Sequence, residues 1–231
     1  MAAKTTTAPD PKVVTIFGRL SFPVWTAQEA HDKSQKGKYP TKSPAEAKPN
    51  FNLLVEQRQL DKLRDHVVNH FLPYCKKQYA EDGEKARDWL TDKEVDDLLA
   101  QIDGTDFDGV YNTPIKNVPE KSKELAPETV ASVKCIGNEG VDMTLQAVVR
   151  KEDELNAGDP DQLTWPCIRP ITETVHTMYP GCYVGVTINL YAYHNGKLPG
   201  FSAGANVAVF RDDADRFGGG VAVDAEEMFA D

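Results

Sequence analysis

The sequence lacks the short motifs that commonly carry catalysis. It has no glycine-rich phosphate loop, no Gly-x-Ser-x-Gly elbow, no metal-binding histidine motif and no kinase or deaminase signature. Long apolar runs are missing too: nothing approaches the roughly 18 apolar residues that cross a bilayer, and no apolar stretch follows a basic N-terminus. A soluble, cytoplasmic protein without membrane contact is expected. Cysteine is sparse, with Cys75, Cys135, Cys167 and Cys182 scattered and no Cys-x-x-Cys pair. That favours reduced, buried thiols over a disulfide framework. His66 and His70 lie four apart with Cys75 nearby, but no acid stands between them to serve as base and no fourth ligand is evident, so neither metal nor cofactor is expected.

Negative charge is in excess. The formal net charge is −10, which at first argues against a nucleic-acid partner, because a polyanion is held mainly by Lys and Arg. The distribution weakens that objection. From Asp212 onward seven acids (Asp212, Asp213, Asp215, Asp224, Glu226, Glu227, Asp231) face one base, Arg216; this accounts for −6 and leaves −4 for residues 1–211. Residues 11–50 hold seven bases (Lys12, Arg19, Lys33, Lys36, Lys38, Lys42, Lys48) against Glu29, Asp32 and Glu46, a local +4. The sign of the charge therefore changes along the chain.

A hydrophobic content of 40% with 9% aromatics is enough for a packed core. Residues 1–11 read as a flexible arm, 12–211 as a domain with a helical insertion at about 57–103, and 212–231 as a disordered acidic tail. In residues 13–22, Val14, Ile16, Leu20 and Phe22 alternate with Thr15, Phe17, Arg19 and Ser21, predicting a half-buried strand with a bend at Gly18. Residues 27–49, with five lysines, Pro40, Pro44 and Pro49, read as a long basic loop. Residues 51–56 fit a short strand. Leu60, Leu63, Val67 and Phe71 then have helical spacing, with Pro73 ending or bending that helix. A second helix is expected from about Glu84 to Ile102, with Thr91 and Glu94 at capping-box spacing. Residues 103–127 read as a loop. Two β-rich runs over 128–151, separated by Gly137 to Gly140, look like a hairpin.

The most informative stretch is YPGCYVGVTINLYAYHNGKLPGFSAGANVAVFRD. Cys182, Val184, Val186, Ile188, Leu190 and Ala192 fall on one face, and Tyr183, Gly185, Thr187, Asn189, Tyr191 and Tyr193 on the other. Asn195-Gly196 supplies turn chemistry, and residues 201–210 a return strand. An apolar face can fill a barrel while a row of rings offers flat surfaces to bases. The alternative is ordinary amphipathic cover, since Tyr favours strands for packing alone. The candidate stacking residues are Phe17, Trp25, Tyr39, Tyr183, Tyr191 and Tyr193. The candidate phosphate-holding residues are Arg19, Lys33, Lys36, Lys38, Lys42, Lys134 and Arg150. In the tail, Met228 and Phe229 among Asp224, Glu226, Glu227 and Asp231 could mimic a DNA strand or dock into basic pockets of other proteins.

Taken together, VVTIFGRLSFP, the basic loop, YPGCYVGVTINLYAY with its Asn-Gly turn, GFSAGANVAVFRD and the acidic end resemble the single-stranded DNA-binding proteins of tailed phages. The resemblance covers most of the chain and is least diagnostic over about 57–110. It implies a mainly β protein with inserted helices, built on an OB-fold, a five-stranded Greek-key barrel, with a disordered acidic tail. It further implies a non-enzymatic role in protecting single strands during phage replication and recombination, with the tail contacting replication enzymes. The chain departs from many such tails in ending on Asp231 and not on the aromatic itself. Duplex binding stays open, because backbone charge contacts are common to both forms, as does the choice between monomer and homodimer. Two other readings compete. Asp106 and Asp108 could bind magnesium as nuclease carboxylates do, although their glycine-flanked turn favours Asp for local hydrogen bonding. The sheet face could instead bind protein, as in a structural module of the virion.

Overall fold

The computed structural model describes residues 10–82, 91–104, 107, 109, 111–149, 167–170, 178–194 and 199–217. Five strands close into a barrel: β1 (Val13–Val24), β2 (Asn50–Glu56), β4 (Thr129–Ile136), β8 (Pro199–Gly204) and β7 (Tyr183–His194), with β7 pairing back onto β1. Every seam is antiparallel except β4–β8, which is parallel. In the order of these five strands along the chain, the ring reads first, second, third, fifth, fourth. This is an OB-fold, mainly β with helices added, as expected. The two-residue β3 (Ile115–Lys116) adds to β4.

Alternation builds the interior. Val184, Val186, Ile188 and Leu190 of β7, Ile16 and Leu20 of β1, Phe51 and Leu53 of β2, and Val133 and Cys135 of β4 share one buried cluster. Cys75 and Cys182 are buried as well, and burial pushes the Cys75 and Cys135 thiols up to about 12, so both are neutral apolar fillers. Helix α2 (Gln57–His66) brings Leu60 and Leu63 into the same cluster, and Phe71 packs on Phe201 of β8 with ring centroids 5.5 Å apart. Pro73 does not end this helix. A π-turn at Val67–Phe71 precedes it, and α3 (Leu72–Asp82) runs on. The wider turn accommodates a ring that has no N–H and would clash with the carbonyl one turn back.

Several expectations need correction. The basic segment is not all loop: α1 (Ala27–Ser34) starts on a capping box between Thr26 and Glu29, and a 3₁₀ turn follows at Pro44–Glu46. The stretch read as a loop holds β3 and α5 (Glu120–Leu125). Helix α4 (Asp92–Asp103) has the expected Thr91–Glu94 box; the rest of that expected helix, residues 84–90, lies outside the described residues. β4 and β5 (Thr144–Val149) are not a hairpin. Both run parallel to the return segment, β4 beside β8 and β5 beside β9 (Val207–Asp212), so they point the same way. The return strand itself shifts register by one residue at Ala205–Asn206, between β8 and β9, while staying on one edge of β7. β6 (Cys167–Pro170) adds to β5.

Candidate nucleic-acid interface

β7 presents its polar row outward. Where β1, β7 and β9 lie side by side, Phe17 pairs with Gly185, and Gly185 with Val209. A trough of about 170 Å³ runs here, lined by Thr15, Phe17, Gly185, Thr187, Val207, Val209 and Arg211. A Cβ on Gly185 would lie 2.8 Å from Phe17 Cε1, so only glycine lets the ring cross the strand. Two cations flank that ring: Arg211 with its guanidinium carbon 5.1 Å from the centroid, and Lys62 with Nζ at 5.8 Å. Lys62 also donates to the Thr15 carbonyl at 2.6 Å.

Farther along, Tyr191 is 43% exposed and its ring lies 6.5 Å from that of Tyr193, centroid to centroid. The Tyr191 ring lies over Gly204 of β8, its Cε1 3.6 Å from where a Cβ on that glycine would stand. Lys134 of β4 is exposed opposite Asn52 of β2, so this wall continues from rings to a cation. Burial raises the Tyr183 and Tyr193 hydroxyls above their ordinary range. Both rings therefore stay neutral near pH 7 and add no charge that would repel phosphate.

The basic segment links β1 to β2 and is held against the barrel. Ala27 N–H donates to Asp142 Oδ1, Met143 N–H to the Trp25 carbonyl and Gly140 N–H to the Ala47 carbonyl. Its tip is closed by Ser34 and Gln35, which bond the backbone of Thr41, and by His31, whose Nδ1 is 2.8 Å from Thr41 Oγ1. Lys33, Lys36, Lys38 and Lys42 all face solvent from this held frame, and Lys38 sits 5.3 Å from the Tyr39 ring, itself 79% exposed. Between α1 and β2 lies a concavity of about 260 Å³ lined by Lys33, Ser34, Thr41, Lys48 and Asn50 among others. Lys48 also pairs with Glu139 at 3.4 Å.

Two of the sequence candidates are placed elsewhere. Arg19 is buried: Nε donates to the Gly181 carbonyl (2.9 Å), Nη2 to the Asp215 carbonyl (2.6 Å), and Nη1 reaches Leu125 O and Glu128 Oε1. Its guanidinium carbon lies 4.6 Å from the Phe217 centroid and 5.7 Å from that of Tyr183. It therefore fastens the segment after β9 to the barrel. Gly181, with φ at 108°, makes room for the backbone that Arg19 holds. Trp25 is half-buried, its centroid 5.5 Å from Phe51. Arg150, the Asn195-Gly196 turn, Asp106, Asp108 and the tail residues Asp224, Glu226, Glu227, Met228, Phe229 and Asp231 lie outside the described residues.

Three cations of the wall escaped the sequence reading. Alternation with Val207 and Val209 could have placed Arg211 on the Phe17 side. Lys48 carried only the general basicity of its segment, and nothing local marks Lys62.

A family model described as "Enterobacter phage Enc34, ssDNA-binding protein" matches residues 141–231. Among solved structures, the single-stranded DNA-binding protein from bacteriophage Enc34 in complex with ssDNA is similar at 13% identity, with 94% of this chain and 100% of that chain covered and a TM-score of 0.48. The single-stranded DNA-binding protein gp2.5 encoded by bacteriophage T7 is similar at 10% identity, with 91% and 97% covered and a TM-score of 0.46. No curated protein matches the chain.

Proposed function

We propose that this chain, whose residues 141–231 carry the signature of a phage single-stranded DNA-binding family, coats and protects unpaired DNA during phage replication and recombination. The observation that carries the proposal is the outer row of β7, where Tyr191, Tyr193 and the Phe17 ring over Gly185 stand among Lys62, Lys134 and Arg211. Rings in such a row stack on any base, because every base has a π-face, while flexible cations follow the backbone.

Tyr183, Tyr191, Tyr193, Phe17 and Tyr39 serve as stacking surfaces in this proposal. Lys33, Lys36, Lys38, Lys42, Lys48, Lys134, Lys62 and Arg211 hold phosphates, while Arg19 and Trp25 keep the wall in shape. The acidic residues after Phe217 compete for the same cations and recruit replication proteins when DNA displaces them. In this proposal the chain binds without catalysing: among the described residues, the wall presents rings and cations to the strand.

The test is a titration of single- and double-stranded oligonucleotides at two salt concentrations, with full-length protein and a variant ending at residue 217. Single strands should bind with a log–log salt slope of about −0.7 per phosphate neutralised, and truncation should tighten binding most at low salt. Affinity indifferent to salt would sink the proposal. Loss of labelled strand on adding magnesium would point instead to a nuclease.

A further inference from the structure

Phe22 is 60% exposed and has a φ of 48°, the left-handed region in which the Cβ of a non-glycine residue crowds its own carbonyl. The cause lies in the β1–β2 register. Ser21 pairs with Asn52 and Val24 with Asn50, so Phe22 and Pro23 together stand opposite Phe51. Simple alternation would carry Phe22 into the barrel behind Leu20. The bulge turns it out, and the half-buried Trp25 packs against Phe51 at the edge of the core. Stability alone disfavours this placement twice over, since a phenylalanine gains by burial and loses by a positive φ. Strain of this kind persists where the surroundings enforce it, and it concentrates at binding sites.

The surroundings of Phe22 indicate what it meets. Asn50 and Asn52 are half-exposed on the outward side of β2, alternating with the inward Phe51 and Leu53. Lys134 is exposed directly opposite Asn52. The lysine-bearing segment begins a few residues after Phe22, with Lys33 and Lys48 lining the concavity beside Asn50. An exposed ring beside neutral amides and cations, at the edge of a basic segment, suits a flat, uncharged heterocycle attached to an anionic backbone.

We infer that Phe22 is a base-stacking residue: one nucleobase of a bound single strand lies on its ring, with Asn50 and Asn52 available to the base edge and Lys134 to the adjoining phosphate. This rests on the function proposed above and extends it, because it places a second stacking surface on the β1–β2–β4 side of the barrel, apart from the β7 row. It also assigns the stacking role at this corner to Phe22 in place of Trp25.

The experiment is fluorescence titration of a labelled oligothymidylate with the full-length protein and with Phe22→Leu, Phe22→Trp and Phe22→Gly, alongside their thermal unfolding. Leu keeps the apolar bulk but not the π-face and should weaken binding by about 5-fold or more, whereas Trp should bind at least as tightly as wild type. Gly should weaken binding while raising the unfolding midpoint, since it loses the ring and releases the left-handed strain. A wild type that binds together with a Leu variant that binds within about twofold overturns the inference and leaves the function standing. So does a change confined to self-association in sedimentation. A wild type that fails to bind the oligonucleotide at low salt overturns the function itself, and this inference with it.

Discussion

The Phe17 ring occupies the space that a side chain on Gly185 would need, its Cε1 2.8 Å from where a Cβ would stand. Gly185→Ala must therefore either strain the β1–β7 seam, by about 1–3 kcal/mol as overpacking usually does, or push Phe17 off the wall. In both cases oligonucleotide affinity should fall. Combining Gly185→Ala with Phe17→Ala should restore most of the lost stability but none of the affinity, and a double-mutant cycle of unfolding and binding measures the coupling. Additive stabilities would show that the two residues do not compete for this space.

Replacing Tyr191 and Tyr193 with Ala should cost about 1–3 kcal/mol of binding for each base that loses its platform. The unfolding midpoint should change little for Tyr191, which is 43% exposed, and somewhat more for the half-buried Tyr193. Circular dichroism melts next to anisotropy titrations separate the two effects. Unchanged affinity would remove both rings from the interface.

Arg19 should matter for stability and not for phosphate. Arg19→Met leaves the Gly181 and Asp215 carbonyls without their donor and Glu128 without its 3.3 Å partner. A loss of about 2–4 kcal/mol in denaturant unfolding is expected. The salt slope of DNA binding, read at a temperature where the variant is folded, should match wild type. A slope shallower by the equivalent of one phosphate would return Arg19 to the interface.

His66 gives a pH dependence of defined sign. Burial lowers its pKa below 6.5, outweighing the Pro11 carbonyl bond that raises it, and the nearby His70 lowers it further. The unfolded chain then binds the proton more readily than the folded one. The contribution is fully present above the unfolded value of 6.5 and is lost as pH falls from there through the folded value. His66→Gln should flatten the decline in stability between pH 7 and pH 5 relative to wild type. An identical decline in both proteins would mean that other groups carry it.

The barrel was legible because its strands alternate. The inward set from Cys182, just before β7, to Ala192 could be read directly, and the Thr91–Glu94 box marked α4. What escaped was phase and partnership. A bulge turns Phe22 outward while Trp25 packs on the core edge against Phe51, a change of phase that no local pattern announces. β4 and β5 resemble a hairpin from their composition, yet direction is fixed by pairing with β8 and β9, more than 60 residues later in the chain. Arg19 shares the outward face of Phe17 in sequence; its burial is imposed by the Gly181 and Asp215 backbone, supplied from far along the chain. Alternation thus reports a face, but not what later covers it.

The β1–β7 seam joins Thr15 to Thr187, their hydroxyl oxygens 2.8 Å apart across 172 residues of sequence. During synthesis at about 5–20 residues per second, the first strand leaves the ribosome roughly 10–30 s before its closing neighbour exists. For that interval one edge of β1 is an open template for any passing strand. A contact that spans 172 residues slows closure of the barrel, and a circularly permuted version that shortens this separation should fold faster than the natural order, as stopped-flow refolding would show.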